Sequence, residues 1–187
     1  MKTPFSIVGV LALIAASANG QEADAPDNHQ AQAGLRIGRV FIGDTRGAVG
    51  RRLGKPTKTF VLGSGLTSQL WRSTKTGDQG ARNTLEVVYK GSIVSQIEAT
   101  SLVFQTPKGL SLSSARSSWE STYGKPIVST FGYDDGSRKR YLDWKSKGIA
   151  LELTQMGEDE GNNWTYQTLI VHKKGIAVVP DKGGTRE

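Results

Sequence analysis

The chain contains no cysteine. Disulfide bonds, thiol nucleophiles and cysteine-based metal centres are therefore excluded, and so is lipid attachment at an N-terminal cysteine. It has only two histidines, His29 and His172, which are far apart in the sequence. With so few soft ligands, no ordinary transition-metal site is expected. The fold must be stabilised by its hydrophobic core, and the function must use other side chains.

Sequence patterns of known catalytic sites are also missing. There is no G-x-S-x-G elbow, no H-E-x-x-H helix and no phosphate-binding loop. His172 stands beside Lys173 and Lys174 in a predicted strand, which favours a surface residue over a general base. The acidic run 158–163 lacks the alternating spacing of a calcium loop, and a solvated hairpin tip is favoured. We therefore predict a non-enzyme with no catalytic residues, metal or cofactor; a hydrolase with an unfamiliar site is the third-ranked alternative.

The N-terminus predicts export. Lys2 is followed by an apolar run over residues 5–16 and then by small residues, as in a secretory signal peptide. We assign residues 1–20 to this signal and the polar, aperiodic residues 21–34 to a disordered leader. An uncleaved anchor is the alternative. No later segment is apolar enough to suggest a transmembrane helix, so a periplasmic or extracellular protein is expected.

The central part of the sequence contains an internal repeat. Gly54-Lys55-Pro56 recurs as Gly124-Lys125-Pro126, at an offset of 70 residues. Apolar positions follow the same offset, since Val49 corresponds to Trp119 and Leu53 to Tyr123. We therefore predict two tandem units, residues 35–104 and 105–178, followed by a disordered tail, residues 179–187.

Each unit is predicted to contain one short helix and an antiparallel meander. An extended pair at 40–42 or 110–112 precedes a capping residue, which is Asp44 or Thr45 in the first unit and Ser113 or Ser114 in the second. Each helix ends at a Gly-Lys-Pro turn, where glycine favours a left-handed cap and proline stops the helix. The predicted strands are 57–62, 67–73, 85–89, 93–100, 127–133, 138–144, 149–155 and 164–173. The expected fold is α+β, with two tandem units in which a helix packs on about four strands.

The segment Gly38-Arg39-Val40-Phe41-Ile42-Gly43-Asp44-Thr45, followed by Val49 and Leu53-Gly54-Lys55-Pro56, resembles the opening of the SmpA/OmlA (BamE-like) and beta-lactamase-inhibitor-protein-like folds. In those folds a capped helix ends at a Gly-x-Pro turn and antiparallel strands follow. The inhibitor proteins carry two such units, and the resemblance covers most of residues 35–174. It implies this fold and protein binding, but the inhibitors contain disulfides and BamE-like proteins are usually lipoproteins with a single unit. No binding residue transfers by motif.

Aromatic and basic residues are interleaved in the second unit, and exposed Trp, Tyr and Arg often dominate binding surfaces. The candidate partner-binding residues are Tyr141, Trp144, Trp164, Tyr166, Arg138 and Arg140. Because side chains alternate along a strand, about half of the aromatic residues are expected in the core instead. The net charge of +7 favours acidic partners. We expect a protein partner, with an anionic glycan or other polyanion as the alternative; export disfavours nucleic acid.

Overall fold

The structure is a computed structural model that describes residues 29–76, 82–133, 137–155 and 164–180. The predicted signal peptide, residues 1–20, lies outside the described residues, as do most of the predicted leader and tail. The acidic run 158–163 lies outside them as well. All structural statements below refer to the described part of the chain.

The described chain contains eleven strands and two short helices. In chain order they are β1 (Ala31–Gln32), β2 (Arg36–Ile37), β3 (Val40–Phe41), α1 (Arg46–Leu53), β4 (Lys58–Gly63), β5 (Leu66–Thr76), β6 (Arg82–Lys90), β7 (Ile93–Ala99), α2 (Arg116–Tyr123), β8 (Ile127–Gly132), β9 (Arg138–Trp144), β10 (Ile149–Gln155) and β11 (Thr165–His172). Strand β1 lies within residues 21–34, the range predicted to be a disordered leader, and Ala31 is buried.

One antiparallel sheet runs through both halves of the chain, and this corrects the predicted fold class. Its strand order is β4-β5-β6-β7-β11-β10-β9-β8, and a separate small sheet has the order β1-β2-β3. The two meanders join where β7 pairs with β11, with Ile97 opposite Val171. The fold is thus mostly β with two eight-residue helices, and the α+β arrangement of two helix-on-meander units is wrong.

The main core lies on the face of the large sheet that both helices cover. It contains Val49 of α1 and Trp119 of α2, packed with strand residues from both halves such as Val87 and Leu151. A smaller buried cluster lies on the opposite face, where Val178 of the C-terminal segment packs on strand residues Tyr141, Ala150 and Ile170. One face therefore holds the shared core, and the other is only partly covered.

The two helices begin differently but end in the same way. The Thr45 side chain caps α1 by accepting a hydrogen bond from the Ala48 N–H at 3.2 Å, which confirms one of the two predicted caps. Helix α2 begins after Ala115, which makes no side-chain cap bond, so the predicted caps Ser113 and Ser114 are wrong. The Ser114 hydroxyl instead accepts from the Ser111 N–H at 3.0 Å within the preceding turn.

Both helices end at the predicted glycines. Gly54 has φ 75° and ψ −158°, and Gly124 has φ 86° and ψ −166°. These angles lie in a region open essentially to glycine alone, rather than in the expected left-handed helical region.

The predicted extended pair 110–112 forms no strand, although Leu110 and Leu112 are buried. None of the helices in the described residues has the length and apolar character of a membrane span.

Candidate functional site

Two of the six candidate binding residues are buried. Trp144 is 3 % exposed and lies beneath α2, where its ring stacks on Trp119 with centroids 5.8 Å apart. Its indole N–H donates to the Gly124 carbonyl at 2.6 Å. Tyr141 is fully buried on the opposite face, and its hydroxyl donates to Glu152 at 2.6 Å. These two side chains therefore pack mainly against the interior of the protein.

The other four candidates reach the surface on the helix-covered face of the sheet. Arg138 is exposed, while Arg140, Trp164 and Tyr166 are partly buried. Arg140 and Tyr166 lie on either side of buried Leu153 in the strand register, so they share one row of the sheet. The structure thus brings Arg140, Trp164 and Tyr166 together and leaves Tyr141 and Trp144 in the interior.

Arginine and aromatic side chains are in direct contact here. The Arg140 guanidinium carbon lies 4.0 Å from the centroid of the Trp164 ring, a close cation–π distance. Partial burial raises the pKa of the Tyr166 hydroxyl, while nearby Arg116 lowers it and nearby Glu120 raises it. Arg116 and Glu120 form an ion pair at 2.6 Å on α2. We call Arg140, Trp164, Tyr166, Arg116 and Glu120 the aromatic–arginine cluster.

A groove on the opposite face was not predicted from the sequence. It has a volume of about 370 Å³, and polar residues line it from β4 across the sheet to β9. Glu86 and Glu98 lie directly opposite each other on β6 and β7. Glu152 accepts from the Tyr141 hydroxyl and is paired with Lys139 at 3.1 Å. Alternation alone could have placed these charges on one face, but only the pairing of β7 with β11 brings the two halves of the groove together.

Two carboxylates of the groove, Glu98 and Glu152, form hydrogen bonds or ion pairs with neighbouring side chains. Among the described residues no group of three or more His, Asp or Glu side chains is placed to hold a metal ion. Glu98 accepts from the Gln96 amide of the same face at 2.8 Å. This chemistry suits a polar contact surface.

His172 is buried, which corrects its expected surface position. It is 1 % exposed, and its Nε2 lies 3.0 Å from an Asp143 carboxylate oxygen, while its Nδ1 lies 3.1 Å from the Lys173 carbonyl. The other oxygen of Asp143 accepts from the Val178 N–H at 3.1 Å. The His172–Asp143 pair thus anchors the C-terminal segment on the sheet.

Strand β8 is an uncovered edge of the large sheet. Among the described residues it pairs only with β9, and three of its residues expose large apolar side chains: Ile127 (60 %), Val128 (47 %) and Phe131 (38 %). A second cavity of about 330 Å³ lies at the start of this strand. Its lining residues are Tyr123, Lys125, Ile127, Asp143, Trp144, Lys145, Ser146 and Gly175. The sequence predicted the strand but gave no signal of its place at the edge.

Comparison with known proteins leaves the family open. No family model matches the chain, and no curated protein sequence matches it. A cysteine-rich secretory protein from Staphylococcus aureus has a similar solved structure, with 12 % identity and a TM-score of 0.45 over 80 % of this chain and 48 % of that one. The uncharacterized protein YfeY from Escherichia coli shares 13 % identity, with a TM-score of 0.39 over 77 % of this chain and 98 % of that one. The chain thus spans about half the length of the staphylococcal protein, and both similarities are too distant to assign a function.

Proposed function

We propose that this protein is an exported, non-catalytic binding protein whose partner is another protein in the cell envelope or outside the cell. The observation that carries the proposal is the aromatic–arginine cluster, in which Arg140 stacks on Trp164 at 4.0 Å at a partly open surface. Arginine and tryptophan are enriched among the residues that dominate protein interfaces. The signal-like residues 1–20 support the proposed location.

Site-specific photo-crosslinking tests the proposal. Trp164 is replaced by the photo-reactive residue benzoylphenylalanine in the full chain, which is then irradiated in cell-envelope and culture-fluid fractions of the source organism. We expect discrete crosslinked proteins whose yield falls about tenfold with the additional change Arg140→Ala, the effect of losing a hot-spot residue. The matched control carries the photo-reactive residue at Val61, which is 84 % exposed on β4 at the other edge of the sheet. The same products from both positions, or none from position 164, would contradict protein binding at the cluster.

Binding of a polyanion or cell-wall glycan is the second candidate function. It is favoured by the net charge of +7 and by the closeness of Arg140 to the Trp164 ring, because sugars and planar anions contact such groups. On immobilised heparin, Arg140→Gln should elute at clearly lower salt than the equally charged control Arg51→Gln on α1. Equal shifts would reduce the retention to bulk charge, which salt screens without selectivity.

A further inference from the structure

The two edges of the large sheet are protected to very different degrees. Edge strands expose unpaired backbone N–H and C=O groups, and proteins commonly guard them with lysine, proline or bulges. Strand β4 begins with Lys58, which lines the groove, and its pairing with β5 has a register shift between Val61 and Gly63. Strand β8 has the sequence Ile-Val-Ser-Thr-Phe-Gly, with no charge and no proline, and its register with β9 is unbroken. Among the described residues, β8 is therefore the edge of the large sheet that is better suited to accept a further strand.

The side chains of β8 are suited to flank an added strand. Ile127 and Phe131 point to the partly covered face, because they lie opposite Asp143 and Lys139 of that face. The Phe131 ring meets buried Tyr141 edge-on at 5.8 Å and is 38 % exposed. Val128 projects to the other face. Apolar contacts would thus be available on both faces of a strand that pairs with β8.

The charges around β8 favour an acidic occupant. Lys125 and Lys145 line the cavity at the start of the strand, and neither forms an ion pair with a described residue. The one carboxylate in that lining, Asp143, is already engaged by His172 and by the Val178 N–H. Arg138 stands exposed at the opposite end, paired with Gly132. The sequence continues beyond that end into Asp134 and Asp135, so the cationic region that would hold acidic side chains lies at the start of β8.

We propose that β8 receives an extended segment of the partner protein as a ninth strand of the sheet, with acidic side chains of that segment held by Lys125 and Lys145. Strand addition takes its affinity from main-chain hydrogen bonds and its specificity from side-chain pockets, and β8 with its adjacent cavity supplies both. The inference rests on the proposed function, since it specifies the chemistry of the protein partner.

Peptide binding followed by amide hydrogen exchange tests the proposal on the full chain. The probe is a short, capped peptide that alternates valine and threonine and carries glutamates near its C-terminal end. We expect it to protect alternate amides of β8, and we expect the same peptide with lysine in place of glutamate to bind at least about tenfold more weakly. A probe with a central proline should not bind, because it cannot complete the ladder; this control leaves the protein unchanged.

Two pairs of variants locate the site. Val128→Lys places a charge on the open edge strand and should weaken binding of the peptide at least about tenfold. Val61→Lys on β4 should have no effect on this binding. Lys125→Glu should weaken binding of the acidic probe, whereas Lys55→Glu, in the equivalent Gly-Lys-Pro turn, should not. Thermal unfolding of each variant reports whether it is folded.

Several outcomes would overturn the proposal. These are protection of β4 instead of β8, equal effects within either variant pair, and equal binding of the acidic and basic probes. Protection of β8 that grows with protein concentration in the absence of peptide would assign the edge to a second copy and overturn it too. Protein binding at the cluster would survive any of these results if crosslinking from position 164 succeeded, so the two proposals can fail separately.

Discussion

At the scale of single residues, a tryptophan fixes the end of each helix. The Trp71 indole of β5 donates to the Gly54 carbonyl at 3.2 Å, and the Trp144 indole of β9 donates to the Gly124 carbonyl at 2.6 Å. In both cases the tryptophan lies on the second strand after the helix. Each bond joins the end of a helix to the sheet beneath it.

The two tryptophan bonds should differ in their contribution to stability. Trp144 is buried in an aromatic stack, whereas Trp71 is partly exposed. Loss of a donor at a protected carbonyl costs about 1–3 kcal/mol, and water replaces the donor more readily at an exposed one. We therefore expect Trp144→Phe to lower the free energy of unfolding by about 2 kcal/mol and Trp71→Phe by less than about 1 kcal/mol. Urea denaturation measures both, and equal losses would contradict the difference in burial.

Tyr89 carries a buried hydroxyl that has no hydrogen-bond partner among the described residues. Its ring lies under the Arg46 guanidinium, with 4.8 Å between the guanidinium carbon and the ring centroid. Burial raises the pKa of Tyr89 to about 12, although Arg46 lowers it and Asp44 adds a smaller increase. The neutral phenol is therefore the form that the fold accommodates.

Tyr89→Phe should leave the free energy of unfolding at neutral pH unchanged or raise it by up to about 1 kcal/mol, because an unsatisfied hydroxyl is removed. Between about pH 10 and pH 12 the unfolded phenol ionises while the folded one keeps its proton, so the wild type should lose stability as the pH rises. The variant should lose less over this interval. Tyr123 and Tyr166, whose pKa values burial also raises, are present in both proteins. A stability difference that stays constant across the interval would refute this role.

At the scale of elements, the sequence predicted where helices and strands lie along the chain better than it predicted which groups they contact. The predicted strands 138–144 and 149–155 coincide with β9 and β10, and both Gly-Lys-Pro turns end helices. These signals are local, because alternation, glycine and proline act on neighbouring backbone. The start of α2 was missed, since the serines before it satisfy backbone groups of a turn and leave Ala115 at the cap position.

The unequal helix caps predict opposite effects of two substitutions. Thr45→Ala removes the bond from the Ala48 N–H and should lower the free energy of unfolding by about 0.5–2 kcal/mol. Ala115→Ser supplies the missing acceptor at α2 and should raise it by about 0.5–1 kcal/mol. Thermal unfolding of both variants, with Ser117→Ala as an exposed-surface control, shows whether each substitution raises or lowers the stability. A loss of stability in Ala115→Ser would show that another group already satisfies the first turn of α2.

At the scale of the whole molecule, the decisive contact joins residues far apart in the sequence. Alternation places Ile97 and Val171 in strands, but it does not reveal that these strands are neighbours in one sheet. For the same reason the sequence could not tell that Tyr141 and Trp144 are interior while Trp164 and Arg140 are accessible. The residue types of the candidate site were thus predictable from the sequence. Which of those residues reach the surface depends on the long-range strand pairing.

A sheet that is continuous across both halves should unfold as one unit. Ile97 and Val171 are fully buried in the shared core where β7 meets β11. Ile97→Ala should lower the free energy of unfolding by about 2–5 kcal/mol, because it leaves a cavity at this junction. Hydrogen exchange at increasing urea should then show the amides of β6 and those of β10 opening together. Their urea midpoints should be lowered by the same amount. If the β6 amides lost protection while those of β10 kept the wild-type midpoint, the halves would be separate folding units, and the pairing of β7 with β11 would only join them.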